Sequence, residues 1–229
     1  MEKISVIIPV YNGEKYIGKA LNSVISQTLQ PTEIIVVNDG STDQTATIVK
    51  SFEQVKLINM RKCGVPDALN TGVNQAKGTH IAFLDADDLW SKEKLEKQIQ
   101  ILRKNPKAGL VFSKIQQFES EDIATELKGK YLCREEIFNG YHRSTLLASK
   151  TALKQIGPFQ VGLNTSEFIE WYSRAKDLGV TSIVHEEVLA KRRIHGNNMM
   201  LGEEAKKYQQ LPSVIKQILE RRREQNGEK

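Results

Sequence analysis

Short apolar runs alternate with amphipathic segments along the first half of this chain. Runs rich in β-branched residues occupy positions 4–8, 33–37, 55–60 and 80–84. Helical spacing of apolar residues marks positions 14–26, 43–52, 67–76 and 91–103. Strands that are apolar on both faces and separated by helices are typical of a parallel sheet covered on both sides. The pattern therefore predicts an α/β fold with a Rossmann-like, mainly parallel sheet flanked by helices.

The pattern becomes less regular after residue 109. Further strands are predicted at positions 110–118, 144–148, 181–184 and 189–194, and further helices at 150–156, 165–178 and 212–223. Positions 119–130 are charged and poorly periodic, which predicts a loop. Because no repeat or low-complexity linker separates the halves, we expect residues 1–109 and 110–229 to share one sheet.

Composition places the chain among ordinary globular proteins, with 39% hydrophobic and 27% charged residues. No apolar run approaches the roughly 20 residues of a membrane span, and no signal-peptide pattern opens the chain, so we expect a cytoplasmic protein. The net charge of +5 suits anionic substrates but does not indicate nucleic acid as a partner. The basic segment Arg221–Arg223 near the end of the sequence has two interpretations. It is a solvated helix end, or it is a patch for peripheral contact with the inner face of a membrane.

An acidic loop, Asp85-Ala86-Asp87-Asp88, directly follows the fourth apolar run. Carboxylates this close repel one another unless a cation lies among them. Oxygen ligands suit Mn²⁺ or Mg²⁺, and such ions commonly also bind substrate phosphates. The loop therefore predicts a metal site that receives a nucleotide diphosphate. The alternative is a solvated turn in which Asp88 or Ser91 caps the next helix.

Three polar loops follow predicted parallel strands, at positions 9–13, 38–43 and 85–88. Ligands of open parallel sheets bind beyond the carboxyl ends of the strands, so we expect these loops to converge. Asp39 is placed to accept hydrogen bonds from a base edge or a ribose, or else to form a turn with Gly40. Tyr11 and Asn12 are candidates to pack on and bond a nucleobase.

Three segments in order, SVIIPVYNGEKYI (5–17), EIIVVNDGSTDQT (33–45) and ALNTGVNQAKGTHIAFLDADD (68–88), resemble the inverting family 2 glycosyltransferases. The resemblance implies the GT-A fold, a nucleotide-sugar-binding half over residues 1–109 and an acceptor-binding half over 110–229. That second half would form a mixed C-terminal, acceptor-side extension of the sheet, with a terminal helix over 212–223.

The resemblance also implies roles for the loop residues. The position of Asp39 binds the base, Asp85 faces the nucleotide sugar, and Asp87 lies at the metal with Asp88 close by. The implied nucleotide-binding residues of the first loop are Pro9, Tyr11 and Asn12. No Walker-type phosphate loop is present, so Mn²⁺ or Mg²⁺ is expected to neutralise the diphosphate.

The catalytic base is expected at the start of the helix predicted at 165–178. Family members carry a Glu-Asp pair there, followed by a Trp-containing face, and the Asp is the base. The counterpart here is Ser166-Glu167, followed by Trp171, which implies Glu167 as the base. The alternative is a capping box between Asn164 and Glu167. Glu170, one turn further on, is the second candidate.

The segment RRIHGNN, from residue 192, resembles the family's Arg-x-His segment. It implies that Arg193 pairs with phosphate and that His195 meets the metal or the diphosphate. A lone histidine is more often structural, and that interpretation stays open for His195. His80, His142 and His185 are given no role.

The implied reaction is a hexosyltransferase-type transfer, with inversion, from a nucleotide-diphosphate sugar to the hydroxyl of a glycan, lipid-linked or peptide acceptor. One alternative is a nucleotide-sugar-binding protein without transfer activity. Another is a nucleotidyltransferase, which normally shows a Gly-rich phosphate loop near the N-terminus. A dehydrogenase is disfavoured because no G-x-G-x-x-G follows the first strand.

Overall fold

The structure is a computed structural model that describes residues 2–121, 133, 136–163, 165–196, 198 and 210–226. Its strands are β1 (Ile4–Val10), β2 (Glu33–Asn38), β3 (Val55–Asn59), β4 (His80–Phe83), β5 (Leu89–Trp90), β6 (Ala108–Glu119), β7 (Phe138–Asn139), β8 (Leu147–Ser149) and β9 (Thr181–Ile194). Its helices are α1 (Ile17–Ile25), α2 (Thr45–Lys50), α3 (Val65–Gln75), α4 (Lys94–Lys104), α5 (Lys150–Ile156), α6 (Glu167–Asp177) and α7 (Leu211–Asn226).

All described strands belong to one sheet, in the order β3-β2-β1-β4-β8-β6-β9-β5, with β7 paired to β6. The first four strands pair in parallel, as the alternation predicts. Strand β8 lies antiparallel between β4 and β6, and β5 and β7 also pair antiparallel, which makes the second half mixed. The predicted α/β class is confirmed. The chain order reverses between β1 and β4, and such a switch point is where open sheets bind ligands.

Two apolar layers cover the sheet. Helices α1, α2 and α4 pack on one face, and α3, α5 and α6 on the other. Strand β1 supplies both layers, since Val6 and Ile8 face one and Ile7 faces the other. A Cβ at Gly72 of α3 would lie 2.4 Å from Ile7 Cγ2, so glycine allows this helix to approach β1 closely.

The two strands predicted at 181–184 and 189–194 are one strand, β9, interrupted by a bulge. Ser113 pairs with His185, and the next residue of β6, Lys114, pairs with Val188. The extra residues between them place Glu186 within 2.6 Å of Lys114 Nζ. Since an acidic pair interrupts the apolar run, the sequence pattern divides a strand that the bulge keeps continuous.

Other differences concern element ends. The strand predicted at 144–148 begins later, as β8, and is preceded by a 3₁₀ turn at Arg143–Thr145. Strands β5 and β7 were not predicted, because two residues carry no periodicity. Most of the loop predicted at 119–130 lies outside the described residues.

No helix among the described residues combines the length and the apolar character that crossing a bilayer requires.

Candidate active site

A cleft of about 760 Å³ opens beyond the ends of β1, β2 and β4. The three polar loops converge there, as expected from the fold class. The predicted site residues that line the cleft are Pro9, Tyr11, Asn12, Asp39, Asp85, Asp87, Asp88, Glu167 and His195. Two predicted residues, Glu170 and Arg193, do not border it.

Asn12 joins the first loop to the second. Its backbone N–H donates to Ser41 Oγ at 2.9 Å, and its side-chain Oδ1 accepts from the Thr42 N–H at 2.8 Å. Its φ of +50° lies in the left-handed region, which Asn tolerates better than most residues. These bonds occupy the acceptor of Asn12, so its main role in this structure is to hold the two loops together.

Asp39 lies at the end of β2 and is buried. Oδ1 accepts from the backbone N–H of Cys63 at 2.7 Å, and Oδ2 accepts from that of Gly64 at 2.8 Å. Each oxygen keeps a second lone pair, and the residue borders the cleft. Gly40, at φ +75°, passes close to Lys62, since an added Cβ would lie 2.9 Å from the Lys62 amide nitrogen. The carboxylate is therefore fixed in position before any ligand arrives.

Tyr11 borders the same part of the cleft, with the Lys62 ammonium 3.7 Å from the centre of its ring. A nucleobase that packs on Tyr11 would therefore meet an aromatic face and a cation. Asp43 also borders the cleft, and its Oδ1 accepts from the N–H of Thr45, the first residue of α2, at 3.0 Å.

Asp85 is paired with Arg143, from the turn before β8. The guanidinium Nε and Nη2 donate to the two carboxylate oxygens at 3.0 and 2.9 Å. Burial by itself would raise the pKa of Asp85, but Arg143 and His142 reverse this and bring it to about 2. Asp85 is thus ionised, and its charge is balanced by a fork-to-fork ion pair.

Asp88 is 2% exposed and accepts from neutral groups. Ser144 Oγ donates to Oδ2 at 2.6 Å, and the Arg193 N–H donates to Oδ1 at 3.1 Å. Burial, followed by the neighbouring charges of Asp87 and Asp85, raises the pKa of Asp88 well above its usual range. A buried carboxylate under this repulsion indicates that a cation belongs beside it.

Asp87 faces the cleft more openly. Its Oδ2 lies 3.0 Å from His195 Nε2 and 3.2 Å from Asn198 Nδ2. The three carboxylates of the loop therefore differ in their partners, since Asp85 pairs with a guanidinium while Asp87 and Asp88 contact amide, hydroxyl and imidazole groups. Neither Asp87 nor Asp88 has a guanidinium or ammonium partner within 4 Å among the described residues.

The donor set fits a hard divalent cation. Asp85, Asp88 and His142 each offer one ligand atom, and these three atoms lie within 4.8 Å of one another. Burial is the main reason that the pKa of His142 falls to about 4, so this imidazole is neutral at pH 7. Its Nδ1 accepts from the Ser144 N–H at 3.3 Å, so His142 would have to give up this bond or its Nε2 proton to bind a metal. Asp88 is common to this cluster and to the predicted set of Asp87, Asp88 and His195. The ligand atoms of the predicted set are not all this close to one another, so the structure brings together a set that differs from the predicted one.

Glu167 opens α6, is 1% exposed and is one of the residues that border the cleft. Oε1 accepts from Arg143 Nη1. Oε2 is buried and has no hydrogen-bond partner among the described residues. An unpaired carboxylate oxygen beside a cleft is the arrangement that a general base requires. The capping-box alternative depends on Asn164, which lies outside the described residues.

Glu170 has a different environment. It is buried between α6 and α7, and its carboxylate accepts from Arg174 at 2.8 Å and from Arg221 at 3.0 Å. Both oxygens are therefore held by guanidinium groups away from the cleft. The geometry favours Glu167 over Glu170 as the base.

Arg193 is 3% exposed and lies behind the acidic loop. Its guanidinium packs between the rings of Tyr16 and Phe118, at 4.8 and 4.6 Å, and Nε donates to the Asp87 carbonyl at 2.9 Å. The adjacent Arg192 borders the cleft instead. Successive strand residues point to opposite faces, so Arg192 is the arginine of this segment that borders the cleft, whereas Arg193 lies behind it.

Two residues of the cleft were missed by the sequence interpretation. His142 was given no role, and Arg143 was not considered, although both contact Asp85. The only signal for Arg143 is a charged residue immediately before a strand-like run. That signal becomes meaningful only when β8 is known to run antiparallel beside β4, which brings the start of β8 to the end of β4.

A cleft of this kind, with acidic side chains beyond the switch point of a mixed sheet, defines a class of enzymes that bind phosphorylated ligands. Residues 5–157 match the profile of the family described as "Glycosyl transferase family 2". The chain belongs to this family.

Relatives and solved structures agree with this assignment. An uncharacterized glycosyltransferase of Rickettsia typhi is 34% identical over 207 residues, which are 84% of this chain and 64% of that protein. One of Haemophilus influenzae is 30% identical over 214 residues, covering 85% and 66% of the two chains. This chain thus spans just under two thirds of the length of these relatives.

The crystal structure of Staphylococcus aureus TarS 1-349 in complex with UDP-GlcNAc superposes with a TM-score of 0.72 at 23% identity. The match covers 94% of this chain and 65% of TarS 1-349. At this identity the likeness establishes the fold, which is the GT-A fold.

Proposed function

We propose that this chain transfers a hexose from a nucleotide-diphosphate donor to an acceptor hydroxyl, with inversion and with the help of Mn²⁺ or Mg²⁺. The proposal is carried by one juxtaposition: the acidic loop and Glu167 border the same cleft, linked through a single arginine. The bound sugar nucleotide of TarS supports a donor of this class.

The donor would lie along the loops of residues 1–109. In this arrangement Asp39 and Tyr11 would contact the base, Arg192 the diphosphate and Asp85 the sugar, and all four residues border the cleft. A divalent ion held by Asp87 and Asp88, with His195, would supply neutralisation of the charge on the leaving diphosphate. Removal of Asp39 should therefore weaken donor binding more than it slows the reaction.

The acceptor would lie against residues 110–229, which contribute Arg143 and Glu167. Glu167 accepts the acceptor proton at Oε2 as the new bond forms, while Arg143 holds Oε1. A single in-line displacement assisted by one base inverts the anomeric centre. Contact with the inner face of a membrane stays a prediction.

Family membership argues against the nucleotidyltransferase alternative. The alternative function is that of a nucleotide-sugar-binding protein without transfer activity. It is favoured by the bond from Arg143 to Glu167 Oε1, which occupies one oxygen of the proposed base. Calorimetry with UDP-glucose, UDP-GlcNAc and GDP-mannose, each with and without Mn²⁺, tests donor binding. We expect Mn²⁺-dependent binding of at least one donor, and donor turnover to free nucleotide diphosphate would exclude the alternative function. Absence of Mn²⁺-dependent binding to all three would contradict the proposal.

A further inference from the structure

Tyr141 presents an aromatic face to the cleft. The residue is 48% exposed and borders the cleft together with Glu167 and Ile169. Its ring stacks on Tyr172, with centroids 5.3 Å apart and planes at 23°, and meets Phe112 at 68° over 5.4 Å. Part of the ring is thus fixed against the protein while nearly half of the residue remains open in a cleft.

This aromatic face is rigidly connected to the candidate base. Tyr172 stacks on Phe168 with planes at 7°, and its hydroxyl lies 3.0 Å from Ser182 Oγ. Phe168 follows Glu167 in α6, so the stack and the base are parts of one helix-anchored unit. A surface that is held in place before binding loses little conformational entropy when a ligand covers it.

We propose that Tyr141 and Ile169 form the acceptor subsite and that the acceptor is a carbohydrate. This inference rests on the proposed function, since it assumes that Glu167 receives the acceptor proton. A pyranose ring would lay its C–H face on Tyr141 and turn one hydroxyl toward Glu167 Oε2. The C–H face is apolar and suits the electron-rich face of an aromatic ring.

The surroundings distinguish a carbohydrate from the other acceptor classes. The residues that border the same cleft include His142, Arg143 and Thr165, so the apolar wall is accompanied by polar groups. A sugar matches this combination because its faces are apolar and its edge carries hydroxyls. An alkyl chain requires a longer apolar groove, and a peptide requires either a free strand edge for main-chain hydrogen bonds or an aromatic-lined groove that follows an extended segment.

Saturation-transfer NMR on the intact chain, with the methyl β-glycosides of glucose, galactose and N-acetylglucosamine, tests the inference. With the aromatic resonances saturated, we expect transfer to the ring protons of at least one glycoside. Tyr141→Ala should remove this transfer and raise the acceptor KM about tenfold, the typical size of an aromatic contact. Tyr141→Phe keeps the ring and should retain the signal. Leu178→Ala, a change at another exposed apolar side chain outside the cleft lining, should behave as wild type.

Donor calorimetry in the same variants separates this inference from the proposed function. Intact Mn²⁺-dependent donor binding in Tyr141→Ala, together with lost glycoside transfer, supports the subsite. Unchanged glycoside signals in Tyr141→Ala, or wild-type signals that appear only for an alkyl alcohol or a serine peptide, would overturn it while leaving donor binding valid. Failure of donor binding in the wild type would instead count against the proposed function.

Discussion

Asp85 and Glu167 share the guanidinium of Arg143, although 82 positions separate them in the chain. Asp85 belongs to the loop after β4, and Glu167 opens α6. Arg143 therefore fixes the distance between the residue proposed to face the donor sugar and the proposed base. A fixed distance between donor and base is what an in-line displacement requires.

Replacing this guanidinium by an ammonium should uncouple the two carboxylates. Arg143→Lys keeps the positive charge but loses the fork that holds Asp85 bidentately. We expect kcat to fall about 100-fold while donor affinity changes by less than about threefold, because positioning rather than charge is lost. Transfer kinetics and donor calorimetry on the same preparation give both values.

Arg174→Lys is the matched control for this change. Arg174 also pairs with a buried glutamate, Glu170, but outside the cleft lining. The Arg174→Lys variant should be less stable than wild type but keep the wild-type kcat. A wild-type kcat in Arg143→Lys would show that the shared guanidinium has no part in positioning.

Replacing each of the two glutamates of α6 should affect a different property: the rate of transfer for Glu167 and the stability of the fold for Glu170. Glu167→Gln removes the proposed base, and we expect kcat to fall by about 10²- to 10⁴-fold with donor binding retained. Glu170→Gln leaves Arg174 and Arg221 without their shared buried partner, so we expect a loss of about 2–4 kcal/mol in the free energy of unfolding. Urea unfolding and transfer assays measure the two effects. The reverse pattern would assign the base to Glu170.

Local sequence patterns were sufficient for the parallel half of the fold and for the acidic loop. Strand periodicity and the position of Asp85–Asp88 after an apolar run are both readable within a few residues. Arg143 and His142 were missed because their place depends on β8 returning antiparallel beside β4, which is a long-range property. Their contact with Asp85 joins residues almost 60 positions apart, and no local period encodes it.

The position of Arg193, which is buried and does not border the cleft, could not be predicted for a different reason. A resemblance can identify the right strand and still be out of register by one residue. A shift of one residue moves a strand side chain to the opposite face of the sheet. The structure resolves this by packing Arg193 between two aromatic rings.

Replacing Arg192 should therefore change donor affinity, whereas replacing Arg193 should change stability. Arg192→Ala removes a cation that borders the cleft, and we expect the Kd for UDP-sugars with Mn²⁺ to rise about tenfold, with a weaker dependence on salt. Arg193→Ala removes buried packing and the bond to the Asp87 carbonyl, so we expect a loss of about 2 kcal/mol in stability. Calorimetry and urea unfolding separate the two, and an unchanged Kd in Arg192→Ala would contradict the proposed contact of Arg192 with the diphosphate.

The last prediction concerns Asp88 in the absence of metal. Its raised pKa means that the folded protein binds this proton more tightly than the unfolded chain, whose value is 3.8. The stability associated with Asp88 is therefore present at low pH and is lost as the pH rises through the folded-state value. Asp88→Asn removes the repelled charge, so the metal-free variant should exceed wild type by about 1 kcal/mol at neutral pH, with the difference shrinking toward about pH 4.

Urea unfolding in EDTA across this pH range measures the difference in the free energy of unfolding between Asp88→Asn and wild type. Asp177→Asn is the control, because this change should lower stability at neutral pH instead of raising it. Although burial opposes it, pairing with Arg221 and Arg222 lowers the pKa of Asp177, so its charge stabilises the fold at neutral pH. The Asp177→Asn change should destabilise the protein at neutral pH and have no effect on stability in acid.

Asp88→Asn should in addition abolish Mn²⁺ binding, because a neutral amide is a poor substitute for a carboxylate ligand. A metal-free Asp88→Asn protein less stable than wild type at neutral pH would mean that repulsion among these carboxylates is already relieved within the chain, and the argument for a cation at this loop would lose its electrostatic basis.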